Sequence, residues 1–440
     1  MTSESRKIID AWFPCGAVDE ACGNSSGSGQ NEKAIFTWFA SRPIAQARAA
    51  VATALLPDRP DTRNLIDAAI RGDGGAIEKL ADVVSTHYPD GRPVVLDVFS
   101  GRGIIALEAA RLGATAVGLD LSPVATLAGR ILADYPVRDW SLEPPLPWIS
   151  ETAPEAGLFD ADSRPRLIAD LDVFLAEVGR RTEVAVAPFY PKNPDGSYPW
   201  GYLWAISIPC DGCGRRFPLV GSLVLRHPYT RTADAGQALR LAVDGDGWRA
   251  EVTAGRPQQA PTYSSTELGD GRKRKGKSAR CLFCQHPHSL ETVKAKGFAG
   301  EYRDEVLVAA DTLGDTKKVF RDLRAEERAA AQSVDLSKLE PFGSLNAVPN
   351  ESIPAGNVHT VMASGYGYRT FGDLMCNRQA LQFAETARAI RACHADTLAA
   401  GISPEYARAL ATFAAATLAR RLRVATRGCG VQAMGKEDGS

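Results

Sequence analysis

Two Cys-x-x-Cys pairs carry the clearest chemistry in this sequence: Cys210 with Cys213, and Cys281 with Cys284. Four thiolates in two such pairs are typical of a tetrahedral zinc site. Four protein ligands leave no position open for water, which indicates a structural role for the zinc. The 67 intervening residues (214–280) exceed the ~15–20 of a compact zinc ribbon. We therefore expect a β-rich insertion that brings the pairs together.

Chance occurrence or redox activity is the alternative for either cysteine pair. Redox Cys-x-x-Cys pairs open a helix in a thioredoxin-like unit, and no such pattern surrounds these pairs. His286 and His288 lie beside the second pair, where a histidine can replace a cysteine ligand. We expect both histidines to be solvated neighbours of the site.

A glycine loop between an apolar strand and an apolar helix is the second motif. The strand is predicted over 94–99, the helix over 104–112, and a second strand over 115–119. Glycines let the backbone approach a ligand closely, and an acid at the tip of the second strand suits the hydroxyls of a ribose. The predicted cofactor-binding residues are Asp97, Phe99, Ser100, Gly101, Gly103, Asp120 and Leu121.

The order of acid and glycine distinguishes the candidate ligands of this loop. Nicotinamide-binding loops follow G-x-G-x-x-G, whereas here Asp97 precedes the glycines and Ala106 holds the third position. An acid at that position favours S-adenosylmethionine, which carries cationic groups, over a pyrophosphate. A dinucleotide, or a glycine turn without a ligand, are the alternatives.

A basic run precedes the second cysteine pair, and its residues are Arg272, Lys273, Arg274, Lys275 and Lys277. We interpret it as a loop that contacts nucleic-acid phosphates, which position a duplex without reading its sequence. A solvated flexible loop is the alternative.

The periodicity along the 440 residues predicts the elements that must position these groups. Residues 43–135 alternate helices with two apolar strands, which is an α/β pattern. Residues 183–310 contain short β-rich runs, 317–332 reads as a charged helix, and 379–424 reads as two closing helices. We predict three regions: a cofactor-binding region over 1–140, a zinc-bearing insert with the basic loop over 141–340, and a Gly-rich turn with helices over 341–440.

Composition excludes several classes of protein. Hydrophobic residues make up 45% and charged residues 23%, as in ordinary globular chains. The net charge of -1 excludes a globally basic nucleic-acid binder, although a local basic patch still acts locally. No apolar run reaches the ~18 residues of a membrane span, and the start lacks the apolar core of a signal peptide. We expect a cytoplasmic protein without membrane contact.

Several further segments of the sequence form a recognisable set: 6–14, 32–33, 37–48, the glycine loop, 120–123, 201–205 running into Cys210, 217–219 and 366–379. Together they resemble adenine-specific DNA methylases that contain a zinc ribbon and an N-terminal domain of uncharacterised function. Phe36 departs from the resemblance, because members tend to have His there. The resemblance implies a partial class I, Rossmann-like methyltransferase sheet, with S-adenosylmethionine as cofactor and DNA as partner.

One feature of such methylases is absent from this sequence. Amino methyltransferases hold the target amine with a loop of the form Asp/Asn-Pro-Pro-Tyr/Phe, whose ring stacks on the flipped base. The only Pro-Pro here, Pro144-Pro145, is followed by Leu146 and has no aromatic. In the family the motif lies beyond the position that corresponds to residue 440. We therefore expect a second polypeptide to supply the catalytic half.

The predicted sheet also indicates a second polypeptide, for a physical reason that does not depend on the resemblance. A parallel sheet needs both faces covered, and few candidate strands follow Asp120 outside the insert. The leading function is the S-adenosylmethionine-binding part of a DNA adenine methyltransferase, with catalytic residues unknown. The alternatives are a zinc-containing DNA-binding remnant without catalysis, and a methyltransferase acting on RNA or a small molecule. The turn from Tyr366 to Asp373 either returns to the cofactor pocket or is an ordinary turn before a helix.

Overall fold

A computed structural model of the chain describes residues 6–23, 42–148, 164–228, 234–267, 273–314, 317–354, 362–422 and 424–427. The side chains of 265–267, 273–277, 317 and 362 are outside this description, as are Phe36 and Arg272. The chain divides into two compact units, Met1–Val178 with Ala389–Arg420, and Gly179–Arg388 with Arg421–Ser440. The division into three sequence regions stays a prediction.

The described residues form a mixed α/β fold. Its helices are α1 (Cys15–Gly23), α2 (Ile44–Leu55), α3 (Pro60–Ile70), α4 (Gly74–His87), α5 (Ile104–Arg111), α6 (Pro123–Gly129), α7 (Arg166–Val186), α8 (Leu290–Phe298), α9 (Ala325–Gln332), α10 (Asn377–Ala399) and α11 (Pro404–Arg421). Its strands are β1 (Val94–Asp97), β2 (Thr115–Gly118), β3 (Gly201–Pro209), β4 (Arg216–Leu219), β5 (Val224–Arg226), β6 (Gln237–Asp244), β7 (Gly247–Ala254), β8 (Tyr263–Glu267), β9 (Lys273–Arg280), β10 (Pro287–His288), β11 (Arg303–Leu313) and β12 (Lys317–Asp322). None of the described helices is both long enough and apolar enough to cross a bilayer.

The first unit contains the predicted strand, loop, helix and strand. β1 and β2 pair in parallel, with Val95 opposite Ala116 and Asp97 opposite Gly118. The side chains of Val95 and Ala116 pack against a core built from α1 to α5. The other described strands pair in antiparallel fashion. The described residues therefore show a single parallel pair and not a complete Rossmann-like sheet.

A buried ion pair fixes α5 in this core. The Arg48 guanidinium in α2 donates to the Glu108 carboxylate in α5 at 2.6 Å, and its second nitrogen donates to the carbonyl of Ala69 in α3. Arg111 donates to the other Glu108 oxygen at 2.6 Å. One guanidinium thus joins three helices.

A second core of the first unit confirms the two closing helices. Tyr406 in α11 is fully buried and stacks on Trp140, with ring centroids 4.8 Å apart. Its hydroxyl donates to Asp170 in α7 at 2.8 Å. The break between α10 and α11 falls at Gly401, whose φ of +84° suits glycine.

The described residues of the second unit include three antiparallel sheets, and these confirm a β-rich insertion between the cysteine pairs. Their strand orders are β12-β11-β3-β4, β5-β6-β7 and β10-β9-β8. β3 pairs along β11 over most of its length, with a bulge between Val306 and Val308. The apolar side chains between these sheets include Leu225, Leu239, Leu241, Leu307 and Phe320.

Two sequence-based expectations about this unit are wrong. Residues 317–332 are not one helix, because Lys317–Asp322 pairs with β11 as strand β12 before α9 begins. The basic run is not a loop, because Lys273–Arg280 forms β9 between β8 and β10. In both segments, pairing with a neighbouring strand overrides a local preference that periodicity alone reports.

Glu327 anchors α9 to the β11–β12 hairpin. Its carboxylate is fully buried and accepts hydrogen bonds from Arg321 at 2.7 and 2.8 Å and from the Arg324 side chain at 2.9 Å. Arg321 also donates to Asp311 in β11 at 2.7 Å. Burial acts to raise the pKa of Glu327, but the hydrogen bonds from both arginines outweigh it and hold the pKa to about 2.

We predict that Glu327→Gln lowers the free energy of unfolding of the second unit by about 3 kcal/mol, because it removes the buried carboxylate that Arg321 and Arg324 share. The loss should be largest above pH 4.5, the ordinary value for the carboxyl, and should vanish as the pH falls towards the folded pKa of about 2. Urea unfolding at several pH values measures it. Glu326→Gln is the control, because its carboxylate is exposed. Equal effects of both substitutions at neutral pH contradict the prediction.

Candidate metal centre and ligand pocket

The structure brings the four predicted cysteines together. Their Sγ atoms all lie within 4.8 Å of one another. The Cys210 and Cys284 sulfurs are 3.6 Å apart, and those of Cys213 and Cys281 are 3.8 Å apart. A tetrahedron with Zn–S bonds of about 2.3 Å separates its sulfurs by about 3.8 Å. The cluster can therefore hold a metal ion, and its size is compatible with zinc.

Each cysteine pair lies in a tight turn between two strands. The first turn joins β3 to β4, and the second joins β9 to β10. The backbone N–H of Gly212 faces the Cys210 sulfur at 3.3 Å, and that of Phe283 faces the Cys281 sulfur at 3.4 Å. These N–H groups stabilise negative charge on the sulfurs, which a metal-bound thiolate carries.

The two turns are near copies of each other. In each, the N–H of the first cysteine bonds to the carbonyl five residues later, of Arg215 in one turn and His286 in the other. The residue after each second cysteine is left-handed: Gly214 has φ +71° and Gln285 has φ +62°. Among the described residues, Gln285 is the only one other than glycine with a positive φ.

The turns give the sulfurs unequal acidities. The backbone N–H of Arg215 is the main cause that lowers the pKa of Cys213 to about 7. Burial raises the pKa of Cys281 to about 12. Cys281 is fully buried and Cys284 is exposed. Neither pair opens a helix, as the Cys-x-x-Cys pairs of thioredoxin-like redox centres do. Their place in turns between strands favours a metal ligand over a redox centre.

The histidines beside the second pair differ from each other. His286 is exposed, as expected. The expectation that His288 is solvated is wrong, because 1% of it is exposed and its ring packs on Phe217 with centroids 5.5 Å apart. Asp211 approaches its Nδ1 at 3.4 Å. His288 therefore belongs to the packing beneath the turns, where β10 pairs with β9.

A pocket of about 480 Å³ opens at the carboxyl ends of β1 and β2 in the first unit. Its size falls within the range of small-molecule sites, about 300–1,000 Å³. Five of the predicted cofactor residues line it, namely Asp97, Phe99, Ser100, Gly101 and Asp120. The lining residues that the sequence analysis missed are Arg42, Arg102, Ile104, Ile105 and Ser122.

Two carboxylates organise the pocket. Asp120 accepts the N–H of Gly101 with one oxygen and that of Ser122 with the other, both at 2.8 Å. Asp97 accepts the N–H of Phe99 at 3.1 Å. Asp120 thus ties the glycine loop to the end of β2. A carboxylate has about four lone-pair sites, so these bonds leave acceptor capacity for a ligand.

The other two predicted cofactor residues, Gly103 and Leu121, do not line the pocket. Gly103 has φ +82° and is the N-cap of α5, and a side chain there would press on the Cα of Gly129 at 3.0 Å. Its lack of a side chain lets the end of α6 approach. Leu121 is fully exposed and does not line the pocket. Ser122 lies two residues after Asp120. It is the N-cap of α6, and its hydroxyl accepts a hydrogen bond from the backbone N–H of Ala125.

The turn from Tyr366 to Asp373 packs within the second unit. A side chain at Gly297 in α8 would collide with the carbonyl oxygen of Tyr366, and one at Gly367 would collide with the backbone of Gly297. Asp373 accepts the N–H groups of Arg369 and Thr370 at 2.9 and 2.8 Å. These contacts make it a turn that docks on α8. The sequence analysis left this choice open.

Of the residues predicted to contact nucleic acid, the structure describes only the backbone of those that lie in β9. Lys273, Arg274, Lys275 and Lys277 lie in β9, which leads directly into Cys281. Their side chains, and the whole of Arg272, lie outside the described residues.

No protein-family model, curated protein or solved structure matches this chain. The geometry of the cysteine cluster and of the pocket therefore carries the functional argument.

We predict that Cys281→Ser abolishes binding of zinc, which should reach one ion per chain in the unaltered protein. A buried ligand is lost, and three thiolates bind the ion less tightly than four. Zinc content by atomic emission and thermal unfolding of the second unit measure the effect. Cys15→Ser is the control, because Cys15 is exposed and lies in α1. Full zinc content in Cys281→Ser would contradict the prediction.

The similarity of the two turns allows a test of the left-handed residue that follows each second cysteine. Gln285→Gly should stabilise the zinc-loaded unit by about 1 kcal/mol, because a left-handed residue with a side chain costs roughly that much. Gly214→Gln should cost a similar amount for the same reason. Thermal unfolding of both variants against the unaltered chain gives the comparison. Shifts of the same sign in the two variants would refute it.

Proposed function

We propose that this chain is the S-adenosylmethionine-binding part of a DNA adenine methyltransferase, and that a second polypeptide supplies the catalytic loop. The observation that carries the proposal is the pocket at the ends of β1 and β2. It joins two carboxylates, Asp97 and Asp120, to a glycine loop that leads into a helix. The pocket lies at the carboxyl edge of parallel strands, which is where α/β proteins bind nucleotides, and this supports the proposal.

The charges in the pocket suit this cofactor. Asp97 offers a carboxylate to a cationic ammonium or sulfonium, and would repel a pyrophosphate at the same position. Asp120 keeps acceptor capacity for the two ribose hydroxyls. Arg42 and Arg102 also line the pocket and can pair with a carboxylate on the ligand. The exposed ring of Phe99 offers a surface for the adenine base.

We further propose that the cysteine cluster holds a structural zinc. Four sulfur ligands would fill its coordination, so the ion would connect the β3–β4 turn to the β9–β10 turn without taking part in catalysis. β9 carries the basic run into this site. A zinc bound there would hold one end of the run, whose lysines and arginines would contact DNA phosphates.

For methyl transfer the protein needs to supply little covalent chemistry. The adenine amine would attack the methyl carbon in line as the carbon–sulfur bond breaks, the cofactor would leave as a neutral thioether, and the methylated nitrogen would lose its proton to water. The main need is therefore placement of the amine against the methyl group. In this chain we assign residues to cofactor binding and DNA positioning only. A second polypeptide with the Asp-Pro-Pro-Tyr type of loop would hold the flipped base.

One further candidate is a DNA-binding protein without catalysis. The cysteine cluster and β9 favour it, because they lie in the second unit and are built without any residue of the pocket. In that case DNA binding would survive the loss of the pocket carboxylates.

We predict that calorimetric titration of the zinc-loaded chain shows binding of S-adenosylmethionine. Asp97→Asn and Asp120→Asn should each weaken it by about tenfold or more, because each removes a charged hydrogen-bond acceptor worth about 1.5–3 kcal/mol. Asp90→Asn is the matched control, because Asp90 is exposed and does not line the pocket. NADH is titrated in parallel as the dinucleotide probe.

The outcomes separate the candidate functions. Tighter binding of NADH than of S-adenosylmethionine would replace the methyltransferase by a dinucleotide-dependent enzyme. Absence of cofactor binding in a folded chain that still binds DNA would favour the non-catalytic protein. Turnover of RNA or a small molecule by the chain alone would reject the DNA substrate.

A further inference from the structure

The two cysteine turns differ at the residue that follows the second cysteine of each. Gly214 occupies this left-handed position in the first turn, and Gln285 occupies it in the second. A residue with a Cβ adopts a left-handed backbone at a cost that glycine avoids. Strained conformations of this kind cluster at ligand-binding and active sites. Core packing does not account for the glutamine, because Gln285 is exposed.

The side-chain amide of Gln285 is available to a ligand. Its Nε2 donates to the carbonyl of Leu282 at 3.4 Å, which is a long hydrogen bond. Among the described residues, no group donates to its Oε1. A primary amide offers two donors and an oxygen with two lone pairs. Most of the hydrogen-bonding capacity of this amide therefore faces water.

Two arginines lie beside this amide, and no close carboxylate neutralises either of them. Arg280 is exposed and donates to the carbonyl of Gln285 at 3.5 Å, and it has no ion pair with a described carboxylate. Arg215 stacks on the ring of Phe283, with its guanidinium carbon 4.3 Å from the ring centroid. Its ion pair with Asp246 spans 3.8 Å to a fully exposed carboxylate, which water largely screens.

The charge around these residues is positive. Asp211 is the only acid in either turn, and it already accepts from Lys296 at 2.6 Å. β9 carries the basic run into the second turn. We call Arg215, Arg280, Phe283 and Gln285 the turn surface. Its excess of positive charge attracts a polyanion.

An amide beside cations is a combination that proteins use to read DNA. Arginines bind phosphates and set the register of the protein without reading the sequence. A glutamine amide pairs with the edge of adenine in the major groove, where its oxygen accepts from N6 and its nitrogen donates to N7. This groove is open in B-form DNA and too narrow for side chains in A-form RNA. The chemistry of the turn surface therefore fits duplex DNA.

We propose that the turn surface reads the base sequence of duplex DNA. The Gln285 amide would pair with the edge of an adenine, and Arg215 and Arg280 would bind neighbouring phosphates. The proposal rests on DNA as the partner in the proposed function, and it applies to the enzyme and to the non-catalytic protein alike. It extends that function, because phosphate contacts by the basic run carry no sequence information. The cysteine turns would then select the site on the DNA.

Sequence preference is measured by selection from a random duplex library with the zinc-loaded full chain. The unaltered chain should enrich a motif that contains one strongly preferred adenine. Gln285→Gly should lower that preference by about tenfold, because a paired amide gives discrimination of this order. Binding to DNA without the motif should stay within about twofold. Gln332→Ala is the control, because Gln332 is exposed at the end of α9.

Gln285→Gly separates recognition from folding. The glycine removes the left-handed strain and leaves the four cysteines in place, so the variant should be at least as stable as the unaltered chain. Gln285→Met is the second variant, because it keeps the length of the side chain and removes only the amide. Both variants should lose the adenine preference. An adenine preference that survives in either folded, zinc-loaded variant overturns the proposal.

The arginines are tested by the dependence of binding on salt. Arg215→Gln and Arg280→Gln should weaken binding to all sequences alike, by about threefold to tenfold, and each should reduce the salt slope by about one. Arg256→Gln is the control, because Arg256 is exposed and follows the end of β7 that is remote from Asp246. A salt slope unchanged by both substitutions in the turns rejects the phosphate contacts.

The outcomes separate this proposal from the proposed function. Absence of binding to DNA of any sequence rejects DNA as the partner, and the proposed function with it. DNA binding without a sequence preference leaves the proposed function intact and rejects the turn surface as a reader of bases. Tighter binding to duplex RNA than to DNA of the same sequence rejects recognition in the major groove.

Discussion

The carboxylate of Glu108 is buried in the first unit, and the position of the glycine loop before α5 depends on it. A buried charge that loses its partner costs about 3–5 kcal/mol, so α5 cannot slide or rotate away from Arg48 without that penalty. Because Arg48 also bonds to the carbonyl of Ala69, the same interaction holds α2 and α3. α5 begins directly after Gly103, so the position of the glycine loop is set by side chains about one helical turn away.

The two units are stabilised in different ways. The first has large helical cores and a two-stranded sheet in which the Val94 and Leu96 side chains are exposed. In the second, four cysteines lie between the sheet that contains β3 and β4 and the sheet that contains β9 and β10. A metal in the cysteine cluster would link two turns that are far apart in sequence.

Short-range sequence patterns predicted those parts of the structure that depend on residues close together in the chain. The cysteine pairs, the glycine loop, its flanking strands and the closing helices α10 and α11 all follow from short-range patterns. Arg42 lies far before the loop in sequence, so no spacing could assign it to the pocket. The burial of His288 depends on the pairing of β9 with β10. The charged residues of β12 and β9 alternate no differently from those of a solvated segment, and only their neighbouring strands decide their structure.

The separation of the two cysteine turns has a consequence for how the second unit forms. Cys213 and Cys281 have 67 residues between them (214–280), so the second turn is synthesised only after β4 to β9. A metal ion captured by the first turn would be held by two thiolates during that interval, and would exchange readily. The final pair of ligands closes a long loop, whose entropic cost grows slowly with its length. Metal retention would therefore report the completion of the whole insert, and a chain interrupted before Cys281 would release its ion.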